Sequence, residues 1–119
     1  MAKVLVHLAT GPENPTRASL ALLVARTALD EGHEVQVFLA GDAVQLARPA
    51  TASIAQGIGT GSFGEHWEVL AEAGVVIHLS GMSSQARGVD PDGLAEGVEL
   101  ASPQRLVELA VWADTTLTY

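Results

Sequence analysis

The side chains best suited to chemistry gather in one stretch, Ser80-Gly81-Met82-Ser83-Ser84-Gln85-Ala86-Arg87-Gly88. It follows the apolar run Val75-Val76-Ile77-His78-Leu79, which has the composition of a buried parallel strand. It leads into Gln85-Ala86-Arg87, which reads as a short helix. A strand that ends in small polar residues and opens a helix collects free backbone N–H groups at one point, the usual place for a ligand or nucleophile in an open α/β sheet. Two chemistries fit. Ser83 could be a nucleophile with His78, His7 or His66 as its base, provided the base lies within hydrogen-bond reach and a third group orients it. No G-x-S-x-G elbow accompanies it, and a serine that caps the following helix is the plainer alternative. Alternatively, Ser80, Gly81, Met82, Ser83, Ser84 and Arg87 could hold a small anion, joined by Thr10 and Asn14 from the first loop. The competing reading is a tight turn whose Arg87 pairs with a surface carboxylate.

Other chemical signals are weaker. Gly57 to Gly64 (G-I-G-T-G-S-F-G) suggests a phosphate loop, but it lacks the G-K-[ST] ending and follows no strand, so a flexible lid or subunit-contact loop fits better. His7 and His78 fall in strands, and neither they nor His33 and His66 share ligand spacing with an acidic cluster, so no metal site is expected. No cofactor is expected either. Trp67 and Trp112 read as core or interface residues. The absence of cysteine excludes disulfides, thiolate metal sites and thiol chemistry.

Composition narrows the class further. A chain of 119 residues suits one domain spanning 1–119, and an apolar content of 48% argues against disorder. The net charge is −8 with Lys3 the sole lysine, which repels phosphate backbones and argues against nucleic-acid partners. No apolar run approaches the roughly 20 residues of a membrane span. The opening Met-Ala-Lys-Val-Leu-Val enters a strand without a signal-peptide pattern, so a cytoplasmic location is the expectation.

The elements that must position these residues alternate regularly. Lys3 to Leu8 reads as a strand. Asn14-Pro15 opens a helix that runs to about Glu31 and stops at Gly32. On that helix Ala18, Leu22, Ala25 and Leu29 form one apolar line and Leu20, Leu23, Val24 and Thr27 a second, nearly opposite. Ser19, Arg26 and Asp30 form the polar strip between them. One line covers a sheet; the second requires another partner, either a second subunit or the chain's own loops. Glu34 to Ala40 is a second strand, followed by a short helix over 43–47 and a long Ala/Thr/Ser/Gly loop from Pro49 to Gly64. Glu65 to Ala73 is helical; Val75 to Leu79 and Val98 to Leu100 are strands three and four. Ser102-Pro103 opens a helix to about Ala113, and Thr115 to Tyr119 is a fifth strand. The pattern predicts a three-layer α/β/α fold with a five-stranded parallel sheet and right-handed crossovers.

Asn14-Pro15-Thr16-Arg17-Ala18, Glu31-Gly32-His33-Glu34-Val35, Phe38-Leu39-Ala40-Gly41-Asp42-Ala43, Leu70-Ala71-Glu72-Ala73-Gly74-Val75 and Ala86-Arg87-Gly88-Val89 occur in this order. Together they resemble the DsrE/DsrF-like family of small sulfur-relay proteins, over nearly the whole chain. The resemblance implies a five-stranded parallel sheet between helix layers and a homo-oligomer, trimeric or hexameric. The family's chemistry uses a cysteine after the third strand, in patterns like C-G-x-C-x-x-A-R-G. Here Ser80 and Ser83 occupy the two cysteine positions, Ser83 that of the persulfide carrier. A thiol can be tuned to a thiolate and hold a second sulfur atom; a hydroxyl does neither. The resemblance therefore implies a non-catalytic oligomeric scaffold or partner subunit, with an anion pocket at this loop. The alternative is an enzyme using Ser83 with a histidine or a metal-assisted step. A partner carrying the missing cysteine is a further possibility.

Overall fold

The computed structural model describes residues 1–95 and 97–119. The sheet is built on alternation. In β1 (Lys3–Leu8), Val4, Val6 and Leu8 turn to one face, and Leu5 and His7 to the other. Chain order then gives α1 (Pro15–Asp30), β2 (Glu34–Leu39), a 3₁₀ helix Gly41–Ala47 and α2 (Pro49–Ile54). A small hairpin of β3 (Gln56–Gly57) and β4 (Gly61–Ser62) leads to α3 (Phe63–Glu72), β5 (Ile77–Ser80) and α4 (Gly81–Ala86). After a 3₁₀ turn Pro91–Gly93 come β6 (Val98–Ala101), α5 (Pro103–Trp112) and β7 (Thr115–Thr118).

Five strands form one parallel sheet in the order β6-β5-β2-β1-β7. The steps β1 to β2 to β5 to β6 all move one way, and α1 and α3 pack on a single face over Val4, Val6, Leu8, Val37, Leu39, Ile77 and Leu79. The last connection returns across the whole sheet through α5. That helix lies on the other face, where a much smaller core joins Leu5, Phe38 and Leu109. The fold is the expected three-layer α/β/α arrangement, with unequal outer layers.

Helix ends follow from local chemistry. Asn14 Oδ1 accepts from the N–H of Arg17 at 3.1 Å, Pro15 fills the first turn, and Gly32 follows the last turn with φ +91°, a conformation costly for any residue with a Cβ. Ser102 caps α5 in the same way through Arg105 N–H.

Three expectations need correction. Pro49–Gly64 is not an open loop: Pro49 starts α2, Gly57, Gly59 and Gly61 belong to the β3–β4 hairpin, and Gly64 lies in the first turn of α3. The segment after β2 is 3₁₀ throughout and begins at Gly41. On α1, Ser19 is not on a solvated strip; it is fully buried, beside Gly57 of the hairpin. The hairpin is tied down by Ile58 N–H to Thr16 Oγ1 and by Thr60 Oγ1 to Thr16 O. Leu20, Leu23 and Val24 are half-buried.

Candidate functional site

The helix after β5 starts four residues earlier than its sequence suggests, so Gly81, Met82, Ser83 and Ser84 belong to its turns and not to a loop. Ser80 is the cap: its Oγ accepts from Ser83 N–H at 3.2 Å. Ser83 therefore does not cap the helix. Its own Oγ accepts from the N–H of Gly41 at 2.9 Å. Ser84 is buried and donates to Ser80 O at 2.7 Å. Met82 is exposed to solvent.

The guanidinium of Arg87 is spent nearby, donating from Nε to Asp42 Oδ1 at 3.0 Å and from Nη1 to Ser83 O at 3.3 Å. Arg48 closes the far end of the helix, its Nη2 donating to Gly88 O at 3.1 Å and to Arg87 O at 3.4 Å. Gly41, Asp42 and Arg48 all belong to the segment directly after β2. That segment is a socket for Ser80–Gly88, and Gly41 can start it because φ +56° suits glycine.

Thr10 and Asn14 lie in the loop after β1, at the same end of the sheet. That loop abuts the socket, since a Cβ on Gly11 would run into the backbone carbonyl of Asp42. Neither residue hydrogen-bonds to the serines or to Arg87 among the described residues, and Asn14's carbonyl oxygen is used by its own helix. The cavity here, about 420 Å³, is lined by Pro12, Glu13, Asp42, Gln45 and Thr51. Its two carboxylates oppose an anion.

None of the histidines that could serve Ser83 bonds to it among the described residues. His66 is buried below the hairpin, with Nε2 donating to Thr60 O at 2.8 Å and Nδ1 within 3.4 Å of Arg26 Nη1. His7 and His78 sit on the α5 face, edge-on and stacked respectively against Phe38 between them. Burial lowers the pKa of both, and the nearby Arg105 charge lowers that of His78 further against an opposing pull from Glu99. His78 Nε2 contacts Gln36 Oε1 at 2.6 Å, so this nitrogen carries the proton of the neutral ring. Among the described residues, no group of three or more His, Asp or Glu side chains could hold a metal ion.

Sequence reading misses Gly41 and Arg48 as partners of the serine stretch. Gly41-Asp42 is legible only as a turn after a strand. It also misses a second polar cavity, of about 370 Å³, where His78 meets Glu99, Leu100, Ala101, Ser102 and Arg105. Its only sequence signal is the Ser102-Pro103 helix start.

The sheet order, the helix starting directly at the end of β5 and its seat on the segment after β2 define a small parallel α/β protein with its candidate site at the C-terminal strand ends. The profile of the DsrE/DsrF-like family matches residues 2–119, and the chain belongs to that family. It is 32% identical over 119 residues to the uncharacterized protein MK0008 of Methanopyrus kandleri, covering 98% of this chain and 93% of the other. Identity to the uncharacterized protein MJ0989 of Methanocaldococcus jannaschii is 30% over 120 residues, covering 98% and 99%. In fold it is similar to the ychN protein from E. coli, with TM-score 0.81 at 24% identity over both full chains. No described helix is long and apolar enough to cross a membrane.

Proposed function

We propose that this protein is a non-catalytic subunit of a DsrE-like oligomer, in which the position of the sulfur-carrying cysteine has become a structural hydrogen bond. The observation that carries this reading is the 2.9 Å bond from Gly41 N–H to Ser83 Oγ. A nucleophilic serine needs a base at its hydroxyl; here no histidine bonds to Ser83 among the described residues, and His78 is held by Gln36 on the α5 face of the sheet. An anion at this loop would have to displace Asp42 from Arg87. Assembly is supported by apolar side chains left in water one helical turn apart on α5, Val107 at 62% and Val111 at 80% exposure, and by the half-buried Leu20, Leu23 and Val24 on α1.

Two measurements test the reading. Incubation with a cysteine desulfurase and cysteine should leave the intact mass unchanged; a stable gain of about 32 Da, one sulfur atom, overturns the assignment. Light scattering should give a trimer or hexamer, and a monomer at tens of micromolar removes the assembly claim. Val111→Glu and Leu23→Glu should each be tried, since the one that dissociates the oligomer identifies the contact face.

A further inference from the structure

The cavity at the start of α5 is built from groups of opposite character held apart. On its floor His78 is 2% exposed. Its Nε2 is occupied by Gln36 Oε1 and its ring stacks with Phe38, with centroids 6.3 Å apart and planes 14° apart. Nδ1 makes no hydrogen bond among the described residues, so it is the polar edge left for the cavity, and it is a bare lone pair. Glu99 stands opposite His78 in the parallel register and is exposed, so the acceptor side of the cavity carries a formal negative charge. On the other side are Ser102, the N-cap, and Arg105, in the first turn of a ten-residue helix whose N-terminus is electropositive. Arg105 Nη1 bonds to Glu108 at 3.1 Å, but this pair is largely in water and competes weakly with a ligand carboxylate. The hydroxyl of Ser102 accepts from Arg105 N–H and retains a proton to donate.

These groups discriminate between ligand types. A simple anion would satisfy Arg105 and face the Glu99 carboxylate and the Nδ1 lone pair. A simple cation would satisfy those two and face Arg105. A molecule with both charges meets each group with its complement. We infer that the cavity between His78, Glu99, Ser102 and Arg105 binds a small zwitterion, an amino acid whose ammonium lies between His78 Nδ1 and Glu99 and whose carboxylate is held by Arg105 and Ser102. This site is separate from the Ser83 stretch and does not depend on its reading.

The test is an NMR titration that follows the His78 ring and the Arg105 side chain. Glycine, β-alanine and γ-aminobutyrate serve as probes of charge spacing, and acetate and methylammonium as single-charge controls. At least one zwitterion should shift both residues with saturation below about 10 mM, and should bind at least about tenfold more tightly than either control. Glu99→Gln and Arg105→Gln, both on exposed side chains, should each weaken that binding by about tenfold or more. Overturning results are the absence of a saturable response to all three probes, acetate or methylammonium binding equally well, or either variant binding as the wild type does.

Discussion

The Ser80–Gly88 stretch and the cavity at the start of α5 lie at the same end of the sheet and hold similar groups: serine, arginine and a carboxylate within reach. They differ in what those groups are bonded to. In the first, Ser83 accepts from Gly41, Ser84 donates to Ser80, and Arg87 is divided between Asp42 and Ser83 O. In the second, among the described residues, His78 keeps a free ring nitrogen and Arg105 holds only a surface pair. Residue type makes a group capable of chemistry; an unfilled hydrogen bond makes it available. The stretch richer in motif is the poorer in open valence.

The most damaging way to break this contrast is Phe38→Ala. Phe38 is 2% exposed, touches the rings of both His7 and His78 and belongs to the small α5-side core with Leu5 and Leu109. Its removal should cost about 3–5 kcal/mol in urea unfolding. A loss under about 1 kcal/mol would mean that α5 settles onto the sheet without it. Acidification acts on the same face. Because His7 and His78 have folded-state pKa values below the ordinary one, the unfolded chain binds more protons near pH 6.5 than the native one does. Stability should therefore fall as pH drops through about 6.5 and continue falling to the lowered native values, with the melting temperature lower at pH 5.5 than at pH 8. Imidazole NMR midpoints at or above about 6.5 for both rings would remove this explanation.

Smaller effects sharpen the other half. Ser83→Ala leaves the Gly41 N–H without its partner and should cost about 1–2 kcal/mol. Arg87→Gln loosens an ion pair whose side chains are 30% and 60% exposed, and should change stability by less than about 1 kcal/mol. If the order of these two is reversed, the stretch is held by its charge and not by the half-buried amide contact.

Much of the fold could be read from local signals. Asn14-Pro15 and Ser102-Pro103 mark the starts of α1 and α5, because capping is written within three residues of itself. Gly32 marks the end of α1 for the same reason. The hairpin escaped because strands of two residues, Gln56–Gly57 and Gly61–Ser62, have no periodicity to detect. In the candidate site the residue types were legible and the pairings were not. Gly41 and Ser83 are 42 positions apart, and Asp42 and Arg87 are 45 apart. Such bonds depend on strand order and register. His78 beside Glu99 is likewise a fact of register between β5 and β6.

Strand order also bears on how the molecule is made. During synthesis the sheet extends in one direction from β1, as β2, β5 and β6 are added in turn. The other edge of β1 receives β7 only after the chain has passed residue 115, when Asp114 N–H reaches Lys3 O and Asp114 Oδ2 accepts from Lys3 N–H. Until then the first strand, with its run of valine and leucine, presents unpaired amides along one side, a template to which a neighbouring nascent chain can add a strand. Closing that edge requires a contact spanning almost the full sequence, the slow kind of step in folding. On a crowded ribosome, the vulnerable interval of this protein is set by the wait for its last strand.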